Sequence, residues 1–152
     1  KGEHTADLFV TSANKLKSIN LDPKLNSTAI DEFLLLFLVA GLSKGISTFR
    51  GLDELNKKES KRLDWGYKIL KLIGIKVKKF KNSGIKIWGN PDLILDQTYI
   101  IKDYLKDHRI FMLSVIAATS LGGKWIIHDP ESFETSFPTF LTSIKKLGAK
   151  ID

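Results

Sequence analysis

The longest apolar run of the chain, Phe33 to Leu42, carries no charge and follows the polar residues Asn26, Ser27 and Thr28. That pattern predicts a helix over Ile30–Leu42, capped by the polar triplet and closed by Gly41 or Gly45. Residues from Gly45 to Gly51 alternate between glycine boundaries and predict a strand. Leu63, Tyr67, Leu70 and Ile73 recur at i,i+3/i+4 spacing, which predicts an amphipathic helix from Lys58 to Ile73, stopped by Gly74. Lys76 to Phe80 and Ile85 to Trp88 read as two strands of a hairpin around Asn82-Ser83-Gly84. Asp7 to Thr11 and Leu16 to Leu21 read as short strands ahead of the first helix. In the second half, Asp107 caps a helix that runs to Leu121 and ends at Gly122-Gly123. Trp125 to Ile127 is then a strand, and Phe137 to Leu147 a helix stopped by Gly148. Ala149 to Ile151 begins another strand.

The order of these elements repeats. Asp31 through Gly45-Ile46-Ser47 aligns with Asp107 through Gly123-Lys124-Trp125, and Ile69 through Val77 with Ser143 through Ile151. The chain therefore reads as an α/β (α+β) protein with an internally repeated β-α-β-α-β-β unit, the two copies falling at about residues 6–92 and 93–152.

Composition narrows the classes. A length of 152 residues suits one domain with a real core. No apolar run approaches the ~18–20 residues of a membrane span, so no membrane partner is expected. Cysteine is absent, which excludes disulfides, thiolate metal sites and a cysteine nucleophile, and fits a reducing, cytoplasmic location. The first residue is Lys1 and no signal peptide is visible, so the chain reads as a piece of something longer. The net charge of +7 invites a nucleic-acid reading. The lysines are spread along the whole chain, however, with no RNA or DNA motif of interleaved aromatics, and they read as a solvated surface.

One feature of the charge is not diffuse. Of 24 basic residues only three are arginine, and Arg62 and Arg109 each open a predicted helix. In a chain that uses Lys so freely, Arg marks places that need a rigid bidentate fork for a carboxylate or phosphate. A cation at a helix N-terminus costs a few tenths to about 1 kcal/mol, and Lys58 and Arg62 add like charge at i,i+4. Local rules broken this way mark functional sites, and the expected compensation is a bound anion. Asp31, Glu59 and Asp107 also fall at predicted helix starts. Helices packed in parallel would gather all these groups on one anion-collecting face, with Asp31 and Glu59 as proton carriers. The plainer readings are an ordinary i,i+3 ion pair for Glu59 and Arg62, and a structural N-cap for Asp107. His108 either contacts phosphate or supports Arg109. His4 and His128 read as incidental, and Trp65, Trp88 and Trp125 as packing residues.

Four motifs in order resemble 5-enolpyruvylshikimate-3-phosphate synthase: Ile30-Asp31-Glu32-Phe33, the run Gly51 to Leu63 containing Lys58-Glu59-Ser60-Lys61-Arg62, Asp107-His108-Arg109-Ile110, and Thr135-Ser136-Phe137-Pro138. The resemblance spans about Ala6 to Ile151. It implies a family that joins shikimate 3-phosphate to phosphoenolpyruvate with release of phosphate, without cofactor or metal. It implies an inverse α/β lobe around parallel buried helices. Each of two lobes holds three β-α-β-α-β-β units, with the active site in the cleft between the lobes. The chain would hold two units of the C-terminal lobe and lack the N-terminal lobe, in a protein that is monomeric when complete. By the same resemblance Asp31 accepts the proton of the attacking hydroxyl, and Glu59 donates one to the phosphoenolpyruvate methylene carbon. Lys58 holds the shikimate substrate, and Arg62 and Arg109 clamp phosphoenolpyruvate.

Three positions depart from the family pattern. Thr135 stands where many members have Lys, Lys61 replaces a usual Asp, and Lys57 a usual apolar residue. Two other readings compete: a UDP-N-acetylglucosamine enolpyruvyl transferase lobe, which shares the fold but lacks the K-E-S-x-R and D-H-R pairing, and a non-catalytic anion or nucleic-acid binding module.

Overall fold

A computed structural model describes residues 5–7, 9–11, 13, 15–80 and 83–152. The apolar run folds as helix α1 (Phe33–Gly41), which buries Phe33, Leu34, Phe37, Leu38 and Ala40. It starts three residues later than expected because its expected cap is used elsewhere. The side chain of Asn26 donates to the carbonyls of Arg50 and Gly51 at 2.8 and 2.9 Å, and the intervening residues form turns. Helix α2 (Arg62–Leu72) likewise starts four residues late. Residues Asp53–Lys57 form a 3-10 turn, and Lys58 has extended backbone. The exposed amides of α2 are capped from a distance: Asn56 Oδ1 accepts from the amides of Leu63 (3.0 Å) and Asp64 (3.3 Å). Lys58 and Glu59 therefore lie on the connection that this cap folds back, and the helical i,i+4 repulsion between Lys58 and Arg62 does not arise.

Strands β1 (Gly45–Phe49), β2 (Lys76–Phe80) and β3 (Gly84–Gly89) form an antiparallel sheet in the order β1-β3-β2, with Phe49 opposite Ile85 and Trp88 between Ile46 and Lys76. Alternation puts Phe49, Ile85, Ile87 and Val77 toward the helices and Lys76, Lys86 and Trp88 on the outer face. The hairpin falls where the turn residues place it, although Asn82 lies outside the described residues. Of the two expected N-terminal strands, Leu16–Leu21 makes only isolated parallel bridges, Lys17 with Lys44 just before β1 and Asn20 with Thr48 of β1. Asp7–Thr11 has no regular structure where it is described, and Leu8 lies outside the described residues.

Strand β4 (Leu95–Ile101) was not marked by the hydrophobic pattern, because a register shift between Leu95 and Thr98 breaks its alternation. It pairs in parallel with β5 (Gly122–Ile127), and helix α3 (His108–Leu121) makes the crossover. Helix α4 (Phe140–Lys146) begins only after Pro138, since a proline disfavours helical backbone in the residue before it. Ala149–Ile151, expected as a strand, has no regular structure, and no described strand pairs with it. Helices α1, α2 and α3 pack against one another, closely enough at Gly66 that an added Cβ would stand 2.6 Å from the Phe37 ring.

Candidate functional site

The packing of α1, α2 and α3 brings their N-termini together, and there the charged motifs meet. Arg62, the first residue of α2, is 2% exposed. Its Nε donates to Asp107 Oδ2 at 2.9 Å, its Nη1 to Asp31 Oδ1 at 3.0 Å, and its Nη2 to Glu59 Oε2. Ser60 Oγ donates to the same Asp107 Oδ2 at 2.8 Å. Asp107 caps α3, its Oδ1 accepting from the Arg109 amide at 2.9 Å. Burial alone would push the Asp107 carboxyl up. Hydrogen bonds from Arg62 and Ser60, the Arg62 charge and the Arg109 amide outweigh it and hold the group below the ordinary carboxylate value.

From α3, Arg109 reaches back to α1. Its Nη1 donates to the Asp31 carbonyl at 2.7 Å and to Glu32 Oε1 at 3.1 Å, and its Nη2 lies 3.6 Å from Asp31 Oδ2. Lys58 Nζ stands 3.7 Å from Asp31 Oδ1. The network thus has two ends. Arg62, Ser60 and Asp107 are sealed from solvent, whereas the side chains of Asp31 and Glu59 are 43% and 53% exposed. His108 opens α3 beside the network, half-buried and not joined to it by a hydrogen bond.

The connection that delivers Asp107 is costly. Asp103, Leu105 and Lys106 all have left-handed backbone (φ 61, 58 and 54°), a conformation worth about 1–3 kcal/mol of strain each. Two ties hold it. The buried Tyr104 donates its hydroxyl to the His128 carbonyl, with the Asp129 carbonyl at 3.3 Å, and Lys106 pairs with Glu131 at 2.6 Å. Burial pushes the Tyr104 hydroxyl up to about 12, so it remains a donor at neutral pH.

Two expectations change. The positive charge at the start of α2 already has carboxylate partners, Asp107, Asp31 and Glu59. The face is not a surplus of cations either, since Lys58, Arg62 and Arg109 are matched by Asp31, Glu32, Glu59 and Asp107. Every candidate except His108 is in the network. Asp107 is the cap that the sequence predicts and, in addition, the buried partner of Arg62. Ser60, Glu32 and Asn56 also take part in the site or its support, and all three stand inside the motifs, but no local signal in the sequence marks their partners. Thr135 is exposed after the 3-10 turn Pro130–Phe133. The tryptophans pack: Trp65 edge-on to Tyr104, Trp125 stacked on Tyr99, and Trp88 between Lys76 and Lys86. A groove of about 1050 Å³ between α3, β5 and α4, lined by Val115, Trp125, Leu141 and Ile144, contains none of the network residues. Among the described residues no His, Cys, Asp and Glu cluster is disposed to hold a metal, and no helix is long and apolar enough to cross a membrane.

This arrangement sits within a known sequence and fold. A family model described as EPSP synthase (3-phosphoshikimate 1-carboxyvinyltransferase) matches residues 2–144. The chain is 34% identical over 146 residues to the 3-phosphoshikimate 1-carboxyvinyltransferase of Thermodesulfovibrio yellowstonii, covering 96% of this chain and 33% of that protein. It is 37% identical over 154 residues to that of Zymomonas mobilis, covering 99% and 33%. The solved EPSP synthase of Acinetobacter baumannii superposes with a TM-score of 0.80 at 31% identity, over 91% of this chain and 32% of that one. The chain spans about a third of the length of these relatives. With the motifs, the fold and nearly the whole sequence in agreement, the chain belongs to the EPSP synthase (3-phosphoshikimate 1-carboxyvinyltransferase) family.

Proposed function

We propose that this chain supplies one wall of an active site that transfers the enolpyruvyl group of phosphoenolpyruvate to a hydroxyl of shikimate 3-phosphate. One observation carries the reading: Asp31, Glu59, Arg62 and Arg109, drawn from three separate motifs, meet at the joined N-termini of three helices. The transfer forms a bond between the acceptor oxygen and the substituted carbon of the enol, moves a proton onto its methylene carbon to make a methyl group, and then expels phosphate with loss of a methyl proton. Those steps need a carboxylate to take the hydroxyl proton and an acid near the methylene carbon. Asp31 and Glu59 take these parts on the exposed end of the network, where a substrate can reach them. Arg62 and Arg109 clamp the carboxylate and phosphate of phosphoenolpyruvate, Lys58 holds the shikimate substrate, and His108 contacts phosphate or supports Arg109.

In this reading the chain comprises two of the three repeat units of one lobe, and the remainder of a monomeric, cytoplasmic protein supplies the facing wall. This wall is close to charge-neutral as it stands, so two polyanionic substrates require further cations from across the cleft. The chain alone has no turnover. The test is phosphate release by the intact protein. Release that requires both phosphoenolpyruvate and shikimate 3-phosphate supports the assignment. Release with UDP-N-acetylglucosamine instead, or none with either acceptor, overturns it.

A further inference from the structure

The least accessible group at the site is also fully hydrogen-bonded. Asp107 is 1% exposed, and its two oxygens accept three hydrogen bonds, from Ser60 Oγ, Arg62 Nε and the Arg109 amide. We propose that Asp107 is the positioning residue for both arginines of the anion site. Through Oδ2 it fixes the guanidinium of Arg62, and through Oδ1 the first turn of α3 that carries Arg109. The proposal rests on the enolpyruvyl-transfer reading and adds to it a residue that touches neither substrate.

The geometry of a guanidinium supports it. Five donors lie in one plane, so fixing the direction of Nε–H fixes where the Nη1 and Nη2 edge points. Here the Nε side is held by a sealed carboxylate, while the Nη edge is met only by the half-exposed Asp31 and Glu59. A ligand carboxylate can displace those two from the outside without disturbing Asp107. Asp31 and Glu59 are then released at the moment the anion arrives, which is when the reaction needs them as proton carriers. The same buried carboxylate also sets the axis of the turn from which Arg109 reaches Asp31 and Glu32.

Asp107→Asn separates positioning from bulk stability. The amide has the same shape but only one acceptor oxygen. One rotamer serves the Arg109 amide and turns an NH2 toward Arg62 Nε–H; the other does the reverse. In the intact protein, KM for phosphoenolpyruvate should rise at least tenfold while KM for shikimate 3-phosphate stays within twofold. Ser60→Ala, which removes one of the two donors on Oδ2, should shift the same constant in the same direction by a smaller factor. The Arg62 Nε–H, assigned by its loss in Arg62→Lys, should exchange slowly with solvent in the wild type and rapidly in Asp107→Asn. If Asp107→Asn fails to fold, the Ser60→Ala shift and the wild-type exchange rate decide. An unchanged phosphoenolpyruvate KM, an equal rise in both KM values, or a fast-exchanging wild-type Nε–H overturns the proposal. Lack of turnover in the wild type removes the underlying function and the proposal with it. Wild-type turnover with an insensitive Asp107→Asn removes only the positioning role.

Discussion

Replacing Arg62 by alanine tests how much the buried end of the network holds the helices together. Three carboxylates meet its guanidinium, but they are not equal. Asp31 and Glu59 are about half exposed, so each pair is worth only ~0–1 kcal/mol after solvent screening. Asp107 is sealed, and removing the partner of a buried charge costs about 3–5 kcal/mol because the orphan stays desolvated. Two terms reduce that figure. Asp107 keeps its bonds from Ser60 and the Arg109 amide, and removing a cation from the start of α2 returns a few tenths to about 1 kcal/mol. The expected loss for Arg62→Ala is therefore about 3 kcal/mol, a large share of the ~5–15 kcal/mol that stabilises an ordinary domain. Asp107→Ala should cost slightly more, since it also removes the α3 cap at about 1 kcal/mol. The double variant should fall short of the sum of the singles by at least ~1 kcal/mol, because each single strands the other's charge. Urea unfolding followed by tryptophan fluorescence reads all three values, with Trp65 on α2 as a reporter. Single losses below ~1 kcal/mol with simple additivity would refute the claim that the pair is sealed and coupled.

The remaining predictions concern pH and packing. Because the folded Asp107 carboxyl lies below its ordinary value, its contribution to stability is complete above the unfolded value of about 4 and is lost as pH falls through the folded one. Thermal midpoints should drop on the acid side of pH 4, less steeply in Asp107→Asn, with Asp64 beside Lys79 adding a second contribution of the same sign; identical acid slopes would contradict this. A Cβ on Gly89 would stand 1.9 Å from the Ser43 carbonyl and 2.6 Å from that of Ala40, backbone atoms that cannot turn aside. Gly89→Ala should therefore cost about 2–4 kcal/mol in the same urea assay, and a neutral result would contradict the close seating of β3 on the end of α1.

What the sequence made legible follows from how local each signal is. The α3 cap at Asp107, the hairpin at Ser83-Gly84 and the glycine stops are decided by a few neighbouring residues, and they fall where the pattern places them. The starts of α1 and α2 are set by side chains acting at a distance: Asn26 leaves its helix for the carbonyls of Arg50 and Gly51, and Asn56 caps amides seven and eight residues away. Strand β4 was hidden by its register shift. At the site the motifs identified the right residues but not their partners. The two arginines looked like uncompensated charge because Asp107 and Arg62, 45 residues apart, pair only after α2 and α3 have packed.

The central claim is that these arginines form one jaw of a clamp on phosphoenolpyruvate. Steady-state phosphate release by the intact protein tests it most directly, comparing Arg109→Lys with Lys61→Ala. Arg109 meets Asp31 and Glu32 through a planar fork that an ammonium cannot reproduce, whereas Lys61 is exposed and makes no side-chain cap to α2. Arg109→Lys should lower kcat/KM for phosphoenolpyruvate by about a hundredfold or more, with Lys61→Ala within about twofold of the wild type. Equal, small effects of the two substitutions would contradict the clamp.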